Sequence, residues 1–443
     1  MSEEDEKIPL FPILLVNFIG TLGFSIVLPF LVFLVTRFGG NAFVYGLLGA
    51  VYPAFQLIGA PLLGKWSDIY GRKSILLVSQ AGTFLGWLIF FAAFFIPLTT
   101  LAEVNFPVAG TFTFTLPLLV LFIARALDGL TGGNISVANA YLADITEEKD
   151  RNKNYGKMSI SSNLGFVAGP MLAGLLGSTV YRELPPVLSA IVISLIAVIL
   201  ILFYLPDSRP CVYRVDPQRI NIKKFLGFQN KECFKIEGEN KISFKDVMKI
   251  KYIPYILLLY FLIFLGFSFF YTAFPIHTAV TLGWSITEMG IYFTVISLIM
   301  VLFQGPVLSY ASKKFSDGVL IIAGNLILGT NFVLLLSGNT VIIYIAAVCF
   351  AAGNGLMWPS VLSLLSKAAG NKYQGSVQGF AASLGSLASI IGLVAGGMLY
   401  TELGAVTFLI AGITIYIVFL LSFRLPKIEK VCSFNMEHEP AAG

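Results

Sequence analysis

The 443-residue chain is poor in charge and in the residues that build catalytic or metal centres: Asp, Glu, Lys and Arg together make up 12%, with two histidines and four cysteines. A soluble domain carries nearer about 25% charged residues, so the composition excludes an ordinary water-soluble fold. The histidines are His277 and His438; no nucleophile motif or metal-ligand spacing accompanies them, and an enzyme is not expected. Cys211, Cys233 and Cys432 fall in polar stretches and Cys349 in an apolar run, a pattern that implies neither a disulfide framework nor a metal cluster. A basic leader is also missing. The chain opens on the acidic MSEEDEK, and the apolar run behind it is too long for a signal sequence, so no cleavage is expected.

What abounds is apolar: 57% hydrophobic residues and a mean hydropathy of +0.84. Runs near the roughly 20 residues that a helix needs to cross the hydrocarbon recur along the chain. They lie near 9–36, 43–64, 74–96, 116–141, 156–180, 187–206, 252–280, 286–310, 318–337, 340–366, 373–400 and 404–424. The short alternating segments of a membrane β-barrel are not seen. The expectation is an all-α integral membrane protein with twelve transmembrane helices. The formal charge of +5 reads as topology and not as affinity for nucleic acid. Lys65, Arg72 and Lys73 follow the second run, Lys149 to Lys157 the fourth, Lys313 and Lys314 the eighth, and Lys367 and Lys372 the tenth. The opposite loops carry mainly Arg37 and Arg182, so the positive-inside rule places both termini in the cytoplasm.

The longest polar stretch divides the chain: an amino-terminal six-helix bundle over 1–206, a cytoplasmic linker over 207–250, a carboxy-terminal six-helix bundle over 251–424 and a cytoplasmic tail over 425–443. The two bundles repeat each other. Leu22-Gly23-Phe24-Ser25 recurs as Leu265-Gly266-Phe267-Ser268, and Ala60-Pro61 as Gly305-Pro306, at offsets near 245. Gly156, Gly169 and Gly174 match Gly379, Gly392 and Gly397 at an offset of 223. The first half therefore holds about twenty extra residues, which the loop 97–115, with its Pro-Val-Ala-Gly turn, can supply as a short extracellular hairpin. A parallel repeat of two bundles is the symmetry of transporters that rock around a central site.

Three constellations carry chemistry. After the second run comes Gly64-Lys65-Trp66-Ser67-Asp68-Ile69-Tyr70-Gly71-Arg72-Lys73. Its glycines allow close approach of helix ends, Asp68 suits a neighbouring helix N-terminus at about 0.3–1 kcal/mol, and Arg72 is free to pair with a carboxylate such as Asp144. These six, Gly64, Asp68, Gly71, Arg72, Lys73 and Asp144, form a candidate cytoplasmic gate. In the second half the corresponding loop, Ser309 to Gly318, has Lys313 where Asp68 would stand, and a matching latch is expected to be weak or absent.

Within the fourth run Arg125 and Asp128 share a helical face. A bare charge in the membrane costs about 2.5–3.5 kcal/mol or more, so the two should face the interior and pair. A carboxylate beside a movable arginine can exchange a proton, because losing the cation favours the neutral acid. In the fifth run Gly165, Gly169, Pro170, Ala173 and Gly174 make a small-residue face with a bend at the proline. Asn17, Asn134, Asn139, Asn163, His277, Gln304, Asn325, Asn331, Asn354 and Gln378 could line a cavity or pack between helices. The sequon Asn134-Ile135-Ser136 sits within a span and should not be glycosylated.

These motifs together resemble the major facilitator superfamily. The loop 64–73 is similar to its signature loop, Arg125 followed by Gly129 to its fourth-span motif, and Gly165 to Gly174 to the antiporter motif of its drug/proton exporters, with Ala173 replacing the first of a glycine pair. Ala143-Asp144-Ile145-Thr146 and the stretch Gly353 to Gly392 resemble the tetracycline-exporter branch. The first span departs from that branch: it has no carboxylate between Ile8 and Thr36, and the third span has no Asp or Glu. The resemblance implies a secondary active transporter that moves a small, amphipathic organic molecule by alternating access, with proton-coupled export. Asp128 and Arg125 would handle the proton. No cofactor is expected, the proton gradient being the energy source; the partners are the substrate, protons and the lipid bilayer, and the chain should act as a monomer in an inner or plasma membrane. Proton-driven uptake of a metabolite or siderophore, and a non-transporting receptor built on a transporter fold, stand as alternatives.

Overall fold

The computed structural model describes residues 8–147, 150–208 and 244–437; most of the expected linker, including Cys211 and Cys233, lies outside them. Helices dominate. In chain order they are α1 (Phe11–Ser25), α2 (Leu31–Arg37), α3 (Ala42–Tyr70), α4 (Arg72–Ala92), α5 (Leu116–Thr131), α6 (Asn134–Asp144), α7 (Arg151–Gly177), α8 (Leu184–Phe203), α9 (Phe244–Val247), α10 (Ile253–Ile276), α11 (Ile286–Leu302), α12 (Leu308–Ala311), α13 (Asp317–Leu334), α14 (Thr340–Leu403), α15 (Val406–Ser422) and α16 (Leu425–Glu437).

Ten helical segments among the described residues are long and apolar enough to cross a membrane, or eleven if α15 and the start of α16 count as one bent span. They correspond to the second through eleventh apolar runs. The first run is broken: α1 ends at Ser25, a turn occupies 26–30, and α2 resumes at Leu31. Pro29 lies in that turn, where its missing N–H costs no helical hydrogen bond. The fourth run divides into α5 and α6 at Gly132-Gly133, the poorest helix formers short of proline. Conversely, α14 joins the tenth and eleventh runs, broken only at Gly370, whose φ of 64° suits glycine.

Two compact units emerge. One comprises 1–34, 51–102 and 114–239, the other 35–50, 103–113 and 240–443. The first has a core of Ile13, Val16, Leu63, Ile75, Leu76, Val137, Tyr141, Leu142, Met158 and Ile201. In the second, aromatic rings fill the interior, with Phe274 stacked on Tyr292 at 4.3 Å and Phe270 on Phe350 at 4.9 Å. Leu188, Val192, Leu195 and Ile199, spaced by three and four residues along α8, are exposed. That spacing makes one apolar helical face suited to lipid.

The loop 97–115 forms a two-stranded hairpin, β1 (Thr100–Phe106) and β2 (Gly110–Thr115). Gly110, at φ 68°, permits its turn. The Asn41 side-chain amide donates to the Ala109 carbonyl at 2.7 Å and the Thr113 N–H to the Gly39 carbonyl at 3.0 Å.

The sequence repeat reappears as packing. In the first unit a side chain at Gly169 would collide with the Ser25 hydroxyl, and one at Gly165 would begin 2.8 Å from the Phe18 carbonyl. In the second unit a side chain at Gly392 would begin 2.5 Å from Ser268 Cβ and 3.1 Å from the Leu265 carbonyl. Each copy of the Leu-Gly-Phe-Ser motif thus lies against the small-residue face of its own unit's later helix. Gly165, Gly169, Pro170, Ala173 and Gly174 are all buried, as a packing face requires.

Candidate functional site

The first unit encloses a cavity of about 190 Å³ walled by α1, α3, α4, α5, α6, α7 and α8. Its apolar lining includes Phe24, Trp87 and Phe166; its polar lining is Asn17, Thr21, Tyr52, Gln56, Gln80, Thr83, Asp128, Ser162 and Ser194. Among the described residues no lysine, arginine or histidine lines it, and Asp128 is its one carboxylic acid.

Asp128 is held from both sides. Arg125 donates from Nη1 to Oδ2 at 3.2 Å, and the Thr83 hydroxyl on α4 donates to Oδ1 at 2.9 Å. The side chains of Arg125 and Asp128 are only 10% and 16% exposed. The helical spacing of three residues puts both groups on one face, and Gly86 lets α4 approach: a side chain there would begin 3.3 Å from the Ala124 carbonyl. The Arg125 guanidinium also lies 4.9 Å from the centre of the Tyr52 ring, a cation–π contact. Gly129 sets that distance, because a side chain there would begin 2.5 Å from the Tyr52 carbonyl of α3. Gln56 donates to the Tyr52 hydroxyl at 3.2 Å and to the Gly132 carbonyl at 2.7 Å. Arg125 Nε is buried with no hydrogen-bond partner, so the guanidinium keeps a donor in reserve.

At the ends of α3, α4 and α6 a second polar cluster forms. Arg72 reaches Asp68 Oδ1 at 2.5 Å, Asp144 Oδ2 at 3.1 Å and the Ser67 hydroxyl at 2.6 Å, and the Ser208 hydroxyl donates to Asp144 at 3.1 Å. Gly71 joins α3 to α4 at φ 95°, a backbone conformation that favours glycine. Gly64 has no neighbour within 4 Å of a built side chain, so close approach does not explain it. Lys73 is half-buried beside this cluster. Asp68 spans to Arg72 within one turn of chain.

The second unit corrects one expectation. Lys313 is exposed, yet the loop does carry a latch, four residues further on: Asp317 Oδ2 accepts from Lys367 Nζ at 2.7 Å and from the Ser363 hydroxyl at 2.6 Å. The polarity is reversed, with the acid at the loop and the cation at the helix end.

Of the candidate cavity residues, Asn17 lines the cavity and donates to the Met158 carbonyl at 3.1 Å and to Ser162 at 2.7 Å. Asn163 is not in the wall; its neighbour Ser162 is. Asn134 begins α6, on which Ile135 and Ala138 line the cavity. Asn325 is wholly buried and donates to Ser422 at 3.4 Å, a helix-to-helix packing contact. Asn354 donates to the Met300 sulfur at 3.5 Å, Gln304 is half-buried in a π-helical turn over Phe303–Val307, and Gln378 is exposed. His277, in a π-helical turn ending α10, lies 3.0 Å from the Tyr400 hydroxyl through Nδ1. Sequence reasoning missed Tyr52, Gln56, Gln80, Thr83 and Trp87. The signal was present: Gln80, Thr83 and Trp87 fall at i, i+3 and i+7 and make one face of α4.

Comparison with known proteins gives the fold a family. The family model of the Major Facilitator Superfamily matches residues 13–244 and 256–438. The class H tetracycline resistance protein of Pasteurella multocida is 28% identical over 393 residues, covering 88% of each chain. Multidrug resistance protein 1 of Bacillus subtilis (strain 168) is 29% identical over 392 residues, covering 88% of this chain and 89% of that one. Among solved structures, a D-xylose–proton symporter superposes with a TM-score of 0.71 at 16% identity, over 94% of this chain and 97% of that one. The human organic anion transporter MFSD10 (TETRAN) does so with 0.63 at 19%, over 95% and 100%. With its membrane-length helices, its paired small-residue faces and a family match that spans nearly all of it, this chain is a multi-pass integral membrane protein and a transporter, not an enzyme, and it belongs to the Major Facilitator Superfamily.

Proposed function

We propose that this transporter exports a small amphipathic organic molecule in exchange for protons, with Asp128 as the group that the proton and the substrate share. The observation that carries this reading is the placement of the Asp128 carboxylate in the cavity wall, between the Arg125 guanidinium and the Thr83 hydroxyl. Deprotonated, the carboxylate is balanced by Arg125 and can accept from a cationic or N–H-bearing substrate. Protonated, it is neutral and holds a substrate cation poorly. Arg125 then retains the Tyr52 ring, at a strength of about 0.5–2 kcal/mol for such contacts. Proton and substrate thus compete for one site, which is what antiport needs.

The chemistry of the wall narrows the cargo. The cavity offers aromatic faces from Phe24, Trp87 and Phe166, hydrogen-bonding side chains and one acid, while Arg125 stands behind Asp128 and does not line it. This favours a ligand with a flat or apolar body and a basic or donor group, and disfavours an anionic cargo drawn to Arg125. The similarity to tetracycline and multidrug resistance proteins supports export over uptake. In this reading the bundles 1–206 and 251–424 alternate around the substrate, both termini and the linker 207–250 are cytoplasmic, the Arg72 cluster gates the cytoplasmic side, and the chain works as a monomer without a cofactor.

Reconstituted protein carrying Asp128→Asn tests the assignment. Loss of gradient-driven flux together with weakened ligand-induced thermal stabilisation, in protein that keeps its ligand-free melting temperature, supports it. Full proton-dependent flux in that variant refutes it, and substrate accumulation measured in each direction decides export against uptake.

A further inference from the structure

The reversed latch of the second unit has a third member. Glu429, on the carboxy-terminal helix α16, is only 6% exposed and lies between two other elements. Its Oε1 accepts from Lys367 Nζ at 2.9 Å and from the Asp317 N–H at 3.1 Å, and its Oε2 accepts from the Gly318 N–H at 2.8 Å. The first two amides of α13 therefore end on a carboxylate, the partner a helix N-terminus favours. Gly318 makes room for this contact, since a side chain there would begin 2.6 Å from the Pro426 nitrogen.

The arrangement matches the first unit position by position. Arg72 and Asp317 stand 245 residues apart, the offset that relates the second and eighth spans. Asp144 and Lys367 stand 223 apart, the offset that relates the fifth and eleventh. Ser208, just beyond α8, touches Asp144, as Glu429, just beyond α15, touches Lys367. One geometry is thus built twice with opposite charge. In the first unit the third member is a neutral hydroxyl; in the second it is a buried acid on the tail helix.

A buried carboxylate loses hydration and is retained only where its partners replace it. Here a cation and two backbone amides do so. Burial alone would raise the Glu429 carboxyl, but the Gly318 amide, Lys367 and the Asp317 amide hold it below the usual carboxylate range.

We propose that Glu429 is a positioning residue for transport: through Lys367 and the start of α13 it makes the tail helix α16 a working clamp on one end of the second unit, where the first unit uses a neutral contact. Cys432, one turn further along α16, is 7% exposed and reports the docking of that helix. The test uses full-length protein in proteoliposomes with Cys211, Cys233 and Cys349 replaced by Ser. It follows maleimide labelling of Cys432 and, in parallel, ethidium flux.

The clamp requires that Glu429→Gln raise the labelling rate at least about 5-fold and lower the ethidium turnover by a similar factor at unchanged KM. Glu429→Asp should recover much of both, and Lys367→Met combined with Glu429→Gln should label no faster than Lys367→Met alone. Labelling unchanged in Glu429→Gln, or gains that multiply in the double variant, overturns the shared clamp. Faster labelling with wild-type turnover overturns the positioning role and leaves a merely structural contact.

Discussion

The Thr83 hydroxyl on α4 donates to the Asp128 carboxylate on α5 at 2.9 Å. A hydrogen bond to a charged acceptor contributes about 1.5–3 kcal/mol, and to a neutral one about 0.5–1.5 kcal/mol, so this bond favours the ionised acid. Thr83→Val keeps the shape and removes the donor. Turnover at neutral pH should fall about 10-fold, and the pH profile of flux should shift, whereas Thr83→Ser should behave like wild type. Initial-rate measurements across pH check both.

Tyr52 meets Arg125 through its ring and Gln56 through its hydroxyl. Tyr52→Phe keeps the ring, and Tyr52→Leu discards it. If the cation–π contact holds the guanidinium while Asp128 carries a proton, Phe should retain most of the flux and Leu should lose about 5-fold or more, within the range of about 0.5–2 kcal/mol for such contacts. Equal losses in the two variants would assign the effect to the hydroxyl.

Gly169 faces Ser25 with no space for a side chain. Gly169→Ala should destabilise the first unit by about 1–3 kcal/mol, the usual cost of overpacking, seen as a lower melting temperature in detergent. Adding Ser25→Gly should return part of that loss. Gly64→Ala, at a position with open space, should leave the melting temperature unchanged.

Glu429 gives a pH dependence of defined sign. Its folded carboxyl lies below the ordinary value of 4.5, so its stabilising contribution is complete above that value and is lost as the pH falls through the lower, folded one. The difference in melting temperature between wild type and Glu429→Gln should be constant from neutral pH down to about 4.5 and shrink below it. A difference that grows on acidification would contradict the assignment.

Much of this was legible without coordinates. The pairing of Arg125 with Asp128 follows from their spacing and from the cost of a lone charge in lipid, and the Arg72–Asp144 contact from a loop motif. The repeats of Leu22 to Ser25 in Leu265 to Ser268 and of Gly169 in Gly392 were visible in the sequence, and the structure brings each motif against its glycine. Long-range partners were not legible. Thr83, Tyr52 and Gln56 reach the site only because Gly86 and Gly129 let α4 and α3 approach α5, and nothing in a linear pattern states which helix lies beside which. Asn325 and Asn163 looked as eligible for the cavity as Asn17, since an amide satisfies itself as readily against a neighbouring helix as in a wet pocket.

The sequence by itself determined the class of molecule: hydrophobic runs of membrane length, charges confined to loops and a few buried positions, and a doubled pattern of small residues, all of which follow from what lipid forbids. Only the tertiary structure decided which polar groups meet. The second unit's latch shows why. Position for position the loop seemed to lack its acid, because a local motif was sought with the first unit's polarity; the fold satisfies the same geometry with Asp317, Lys367 and Glu429, drawn from segments far apart in the chain. Charge pairs depend on distance in space and are indifferent to which partner carries which sign.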